Sequence, residues 1–325
     1  MNKRSRKVSF LLAPFRYSQT VYSPKPRDVD SEDLTHRLGV ALGGGSARGY
    51  AHIGALATLE RHGLFPSVIA GTSFGAVIGA LYASGQSPDE MAQNAKAQRR
   101  RDILPYISDF GLHKAALFSG DRLESYFERL LEGRSFADLE KQLVVVTTDV
   151  DTGERVLVRE GSVAKALRAS ASIPGVFAPV ELAGRRLVDG GLGSPIPIDT
   201  LEGLGVNLAV GIGAGTTSEE SGAIQMTQRL LGTRFGKHLH TKLHNSVHTH
   251  PLSRLGRGLA YTANTYIDAS EECAERLQIH TNPPISWLHF HRAEQAIAAG
   301  EKALEAFIPR ILKALTHMPA VSFGD

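Results

Sequence analysis

Residues 67–81 read Ser67-Val68-Ile69-Ala70-Gly71-Thr72-Ser73-Phe74-Gly75-Ala76-Val77-Ile78-Gly79-Ala80-Leu81. The run from Ser67 to Thr72 is apolar and of strand length, and the run from Phe74 to Ala83 is apolar and of helix length. Small residues, Ala76, Gly79 and Ala80, lie in the second run. The two meet in Gly71-Thr72-Ser73-Phe74-Gly75, a serine between two glycines at a strand-to-helix turn. Such a turn holds a hydroxyl exposed on a strained backbone, with Gly71 and Gly75 letting strand and helix approach closely. The same pentapeptide also occurs as a plain turn without chemistry, so its surroundings decide.

Upstream, Arg37-Leu38-Gly39-Val40-Ala41-Leu42 reads as a short buried strand that ends in Gly43-Gly44-Gly45. A helix is expected from about Ala47 to Arg61, with His52, Ala55, Leu56 and Leu59 on one face and Gly63 as its stop. Downstream, Ser87-Pro88-Asp89-Glu90 starts a mainly helical stretch to about 135, and Leu143 to Thr148 is a β-branched strand. Asp151-Thr152-Gly153 turns into a hairpin strand at Arg155–Val158, a helix spans Val163–Ala171, and a second hairpin delivers Arg186-Leu187-Val188-Asp189. Strands are also expected at Leu208–Ile212 and Arg276–Ile279, and a closing helical stretch at Phe290–Leu315. Strands alternating with helices predict an α/β fold, a three-layer α/β/α sandwich with a mainly parallel central sheet. The expected organisation is a flexible basic leader at 1–36, one domain at 37–315 with a variable surface insertion at 215–265, and a tail at 316–325.

The chain has 325 residues, 42% hydrophobic and 21% charged, enough to bury one large core. Its one cysteine, Cys273, excludes an intrachain disulfide framework and fits a reducing compartment. No apolar run approaches the roughly 20 residues of a membrane-spanning helix. The basic start resembles a secretory signal, but Pro14 breaks its short apolar part, so the expected location is cytoplasmic. Within residues 1–30, seven basic side chains stand against Asp28 and Asp30, giving +5 where the whole chain carries +3. Two readings of this leader stay open: a solvated tail, or an arm meeting anionic lipid at the inner membrane face.

Three segments carry the chemistry. Ser73 is the candidate nucleophile, at the carboxyl end of its strand, where open α/β sheets place ligands. Gly43, Gly44 and Gly45 bring bare backbone N–H groups to a helix start, where they favour a negative oxygen by about 3 kcal/mol per donor in a transition state. Arg48 reinforces that anion site, orients a substrate phosphate, or bonds nearby carbonyls. A phosphate-binding loop needs Lys after Gly49, where Tyr50 stands, and a dinucleotide fingerprint needs Gly where Arg48 stands, so both nucleotide readings fail. The third segment, Asp189-Gly190-Gly191, puts a carboxylate in a glycine turn at a strand end, amid Leu187, Val188, Leu192 and Ile196. It is either a plain turn or a base whose pKa burial raises toward the working pH. A serine–histidine arrangement would draw on His280, His289 or His291.

Together these segments resemble the patatin-like phospholipase family, in particular the bacterial branch related to the catalytic domain of neuropathy target esterase. The family's glycine-rich oxyanion motif corresponds to Gly43–Gly49, with one more residue between glycines and arginine than the shortest form. Its G-x-S-x-G elbow corresponds to Gly71–Gly75, and its D-G-[G/A] box to Asp189-Gly190-Gly191. Ala169 to Val180, Gly191 to Ile198, Trp287 to Phe290 and Glu294 to Glu301 also look family-like. The resemblance implies a Ser73–Asp189 dyad without a catalytic histidine and an oxyanion hole at Gly43, Gly44, Gly45 and Arg48. It also implies hydrolysis of phospholipid or lysophospholipid acyl esters, with no metal or other cofactor and no nucleic-acid partner. A small-ester esterase, thioesterase or acyltransferase of the same fold, and a catalytically silent lipid-binding protein, are the alternatives.

Other features read as structural. His238, His240, His244, His248 and His250 lack an H-E-x-x-H pattern and read as a loop rather than a metal site. Arg99-Arg100-Arg101 reads as a solvated helix face, Trp287 and Phe290 as packing for the last helix, and Cys273 as unreactive.

Overall fold

The strands alternate their side chains between two faces of one sheet, and the size of those side chains decides what covers each face. The computed structural model describes residues 37–97, 116, 118–215, 276–286 and 288–317. The strands are β1 (Leu38–Leu42), β2 (Val68–Thr72), β3 (Gln142–Asp149), β4 (Arg155–Val158), β5 (Val180–Leu182), β6 (Arg185–Asp189), β7 (Leu208–Gly213) and β8 (Arg276–His280). The helices are α1 (Ala51–Arg61), α2 (Phe74–Ala83), α3 (Pro88–Ala97), α4 (Asp121–Leu130), α5 (Val163–Ser170) and α6 (Ala293–His317). The 1–36 leader, nearly all of the 215–265 insertion, Arg99–Arg101, His238–His250, Cys273 and Trp287 lie outside the described residues.

Among the described residues, eight strands form one sheet in the order β5-β6-β3-β2-β1-β7-β8, with β4 also paired to β3. The run β3-β2-β1-β7-β8 is parallel, whereas β4 and β6 lie antiparallel to β3, and β5 antiparallel to β6. The sheet is therefore the mainly parallel α/β sheet expected, with antiparallel hairpins at one side.

On one face Leu38, Val40, Leu42, Ile69, Leu143, Val145, Leu208, Val210 and Ile212 pack into the main core with α1, α2 and α6. The opposite face carries Ala41, Val68, Ala70, Val144 and Ala209, and its described cover is the 196–206 segment, with Ile198 and Leu201 buried on it. Small residues there let an extended segment lie close. A Cβ at Gly39 would come within 2.9 Å of Val206, and one at Gly211 within 3.1 Å of Ile196 and Ile198.

Several element boundaries shift by a few residues from the sequence reading, and two are informative. The helix expected from Ala47 begins as a 3-10 turn at Ser46–Tyr50 and becomes α-helical at Ala51. Gly45 offers no capping side chain, and the tighter turn satisfies the Arg48 and Ala51 amides instead. α6 continues to His317, two residues past the expected boundary, and carries Pro309 inside it.

The register of β3 places the site. Thr147 pairs with Val156 of β4 and with Asp189 of β6, so β4 and β6 flank opposite edges of β3. Val146 pairs with Leu157 of β4 and with Thr72 of β2, so β2 shares its edge with β6. The strands approach along that edge from opposite directions. β2 stops at Thr72 against Val146, and β6 stops at Asp189 against Thr147, the next residue. The sheet itself brings the residue after Thr72 to the residue at the end of β6.

Candidate active site

Ser73 leaves β2 with φ 53° and ψ −125°, a left-handed backbone that non-glycine residues avoid, and α2 starts at the next residue. Glycine on each side permits this. A Cβ at Gly71 would strike the Ala76 backbone, and one at Gly75 would strike the carbonyl oxygens of Leu42 and Gly43. Gly75 therefore lets the elbow sit directly against the end of β1 and the glycine loop. Ser73 is half-buried, and its amide donates to the Ser170 hydroxyl at 2.8 Å.

Asp189 is buried at the end of β6. Its carboxylate accepts the Gly191 amide at 2.8 Å, and the Ser73 hydroxyl beside it favours the ionised form. Burial raises its pKa from 3.8 to about 6, against the opposing effect of those two groups. It remains mostly ionised at neutral pH but is a stronger base than a solvated aspartate. A Cβ at Gly190 would strike the Val146 carbonyl, so only glycine lets the chain turn off β3 there. The Asp189 amide donates to the Ser172 carbonyl at 3.0 Å.

The glycine loop follows β1, the strand beside β2, and its donors are not equivalent. The Gly43 amide bonds the Ile212 carbonyl at 2.9 Å and the Gly44 amide bonds the Pro195 carbonyl at 3.1 Å. Both hold the loop in place. Among the described residues the Gly45 amide has no intramolecular acceptor, and Gly45 is half-buried rather than buried. The Phe74 amide at the start of α2 likewise has none among them. Gly44 faces the elbow, since a Cβ there would lie 3.5 Å from Ser73 Cβ.

Arg48 bonds backbone carbonyls, one of its expected roles. Its Nε donates to the Ile285 carbonyl at 2.9 Å and its amide to the Gly45 carbonyl at 3.1 Å, so it braces the loop from beneath. The sequence reading missed three further braces. His52, fully buried on α1, donates from Nε2 to the Gly43 carbonyl at 2.8 Å. Burial pushes its pKa down to about 4, keeping it neutral. Thr72 Oγ1 donates to the Ser194 carbonyl at 2.9 Å, tying the end of β2 to the turn after Asp189. Ser170 holds the Ser73 amide. Their only signal in sequence is a polar residue inside an apolar segment, and their partners are all distant backbone groups.

The histidine alternatives stand elsewhere. His280 ends β8, three strand spacings or about 14 Å from β2, and its Nε2 lies 3.2 Å from the Gln278 amide. His289 and His291 meet edge to face with ring centroids 5.4 Å apart. Among the described residues no histidine hydrogen-bonds to Ser73 or Asp189. No group of three or more metal-ligating side chains occurs among them either, and none of their helices is long and apolar enough to cross a membrane.

An apolar wall adjoins the elbow. Phe74 meets Tyr50 and Phe290 edge to face, with ring centroids 5.0 and 5.7 Å away. Gly49 makes room for the Phe74 ring, whose Cδ1 would lie 2.6 Å from a Cβ at that position. Phe290, expected as packing for the last helix, packs here against the main core.

The family model described as patatin-like phospholipase matches residues 40–202, which contain Ser73, Asp189 and the glycine loop with Arg48. An uncharacterized NTE family protein of Mycobacterium tuberculosis is 36% identical over 176 residues, covering 54% of this chain and 48% of that protein. Human patatin-like phospholipase domain-containing protein 6 is 31% identical over 186 residues, 56% of this chain and 14% of that protein. The chain thus spans about half the length of the mycobacterial relative and far less of the human one. Among solved structures, VipD from Legionella pneumophila superposes with a TM-score of 0.51 at 16% identity, over 87% of this chain and 67% of that one, a likeness of fold.

Proposed function

The chain belongs to the patatin-like phospholipase family, and on that premise we propose that it is a serine hydrolase of phospholipid or lysophospholipid acyl esters. Members of this family are lipid hydrolases. One juxtaposition carries the reading: the end of β2 meets the end of β6 on β3, setting Ser73 beside a buried carboxylate whose pKa has risen to about 6. A base of that strength can take a proton from the serine as the hydroxyl attacks, without a histidine between them.

In the proposed sequence, Ser73 Oγ attacks the ester carbonyl while its proton passes to Asp189. The carbonyl oxygen, now negative, lies toward the Gly45 amide, the glycine-loop donor not spent on the fold. Gly43, Gly44 and Arg48 act by holding that loop. Collapse of the tetrahedral intermediate breaks the ester bond, and Asp189 returns the proton to the leaving alcohol. A water then gives its proton to Asp189 and attacks the acyl-serine, and as the fatty acid leaves Asp189 passes that proton to the Ser73 oxygen, restoring the hydroxyl.

A turnover screen of wild type and Ser73→Ala across phospholipids, lysophospholipids and short p-nitrophenyl esters tests this. Lipid cleavage that Ser73→Ala abolishes is the expected result. Cleavage of short esters alone makes the protein a small-ester esterase, and no turnover by folded, liposome-binding protein makes it a silent lipid binder.

A further inference from the structure

The elbow conformation is held by a side chain that touches neither substrate nor carboxylate. The last registered pair of β2 on β3 is Thr72 with Val146, and there the chain turns off the sheet. Just past that pair the Ser170 hydroxyl accepts the Ser73 amide at 2.8 Å and donates to the Val146 carbonyl at 2.7 Å. It is fully buried, and both of its bonds go to backbone groups no longer paired by the ladder. Two residues on, the Ser172 carbonyl accepts the Asp189 amide at 3.0 Å. One short turn at the end of α5 therefore grips the backbone of both Ser73 and Asp189. Arg168, one turn earlier, ties it down, with Nε on the Gly120 carbonyl at 2.8 Å, Nη2 on the Ala178 carbonyl at 3.0 Å, and Nη1 on the Ser172 hydroxyl.

We propose that Ser170 is a positioning residue, whose hydroxyl bridge from the Ser73 amide to the Val146 carbonyl aims the Ser73 side chain at Asp189. The proposal rests on the reading of Ser73 as nucleophile. A left-handed serine costs on the order of 1–3 kcal/mol and persists only where its surroundings over-determine it. The Ser170 bridge supplies a side-chain anchor for that amide, while the Ala76 and Val77 amides secure the Ser73 carbonyl from the helix side. Without the bridge the amide and the Val146 carbonyl are left buried and unpaired, and the elbow relaxes toward a commoner backbone. That rotates the hydroxyl away from the carboxylate, and misplacement by about 1 Å costs up to 100-fold in rate.

The test compares wild type with Ser170→Ala, Ser170→Cys (same shape, weaker bridge) and Ser170→Thr (hydroxyl kept). Ser84→Ala is the control, removing a buried hydroxyl bonded to the Leu81 carbonyl at the far end of α2. Measured are kcat and KM on a hydrolysed ester, the rate of fluorophosphonate labelling, the melting temperature, and hydrogen exchange of the Ser73 amide. Expected is a kcat order of Ser and Thr above Cys above Ala, with Ala down about tenfold or more and KM within about twofold. Labelling slows in step, and the Ser73 amide exchanges faster in Ala and Cys but not in Ser84→Ala. A flat kcat series across Cys and Thr, Ser73 exchange unaltered in Cys or Ala, or a Ser84→Ala kcat loss matching that of Ser170→Ala each overturns the proposal. Folded wild type that neither labels nor turns over marks the failure of the nucleophile reading itself, and the bridge then has no catalytic role.

Discussion

Replacing Asp189 by asparagine should abolish turnover and yet stabilise the protein at alkaline pH. The carboxyl is buried, and its pKa stands at about 6 against 3.8 for a solvated aspartate. A carboxyl with the higher pKa in the fold binds its proton more tightly there than in the unfolded chain. Acid therefore favours the fold, and the penalty for holding the ionised group grows as pH rises from about 4 and levels off above about 6. The rise corresponds to about 3 kcal/mol at full ionisation. Asparagine keeps an oxygen for the Gly191 amide and carries no charge, so it removes that penalty. Urea unfolding of wild type and Asp189→Asn from about pH 4 to about pH 8 measures it, because the difference between the proteins cancels every other titrating group. The variant's relative stability should climb by up to about 3 kcal/mol across that range, most of it between the two pKa values. A difference constant within about 0.5 kcal/mol refutes the argument that burial tunes this carboxylate.

Three further outcomes follow from the same geometry. The rate kcat/KM should fall tenfold per pH unit below about 6, where Asp189 takes up its proton; a profile flat to about pH 5 contradicts its role as base. His52→Gln, which can still donate to the Gly43 carbonyl, should keep most activity, whereas His52→Leu should lose about tenfold in kcat and about 1–2 kcal/mol of stability, read from paired kinetics and melts. Gly75→Ala should push the elbow off the Leu42 and Gly43 carbonyls, lowering stability by about 2 kcal/mol or more and removing esterase activity; a melting temperature equal to wild type refutes the close approach.

The parts of this site that reveal themselves in sequence are those whose constraint is local. Gly71 and Gly75 around Ser73, three glycines after an apolar strand, and a carboxylate before Gly190-Gly191 each answer a backbone demand within a few residues. The parallel core follows from apolar runs alternating with helices. What stayed hidden depends on register between distant segments. That β6 arrives head-on to β2 along one edge of β3 is set by pairings from 72 to 146 and from 147 to 189. Arg48 could not be assigned from its neighbours because its partner, Ile285, lies 237 residues away. Ser170 and His52 lie in helical runs where sequence gives them no partner, their partners being the Ser73 amide and the Gly43 carbonyl. The glycine donors looked alike in sequence and separated only when Ile212 and Pro195 were found to occupy two of them.

The account stands or falls on Ser73 as the nucleophile paired with Asp189. Labelling the folded protein with a fluorophosphonate and mapping the adduct by peptide mass measures this most directly. A single adduct on Ser73, absent from Ser73→Ala and formed much more slowly in Asp189→Asn, is the predicted result. Folded wild type that takes up no label, or a label on any other residue, contradicts it.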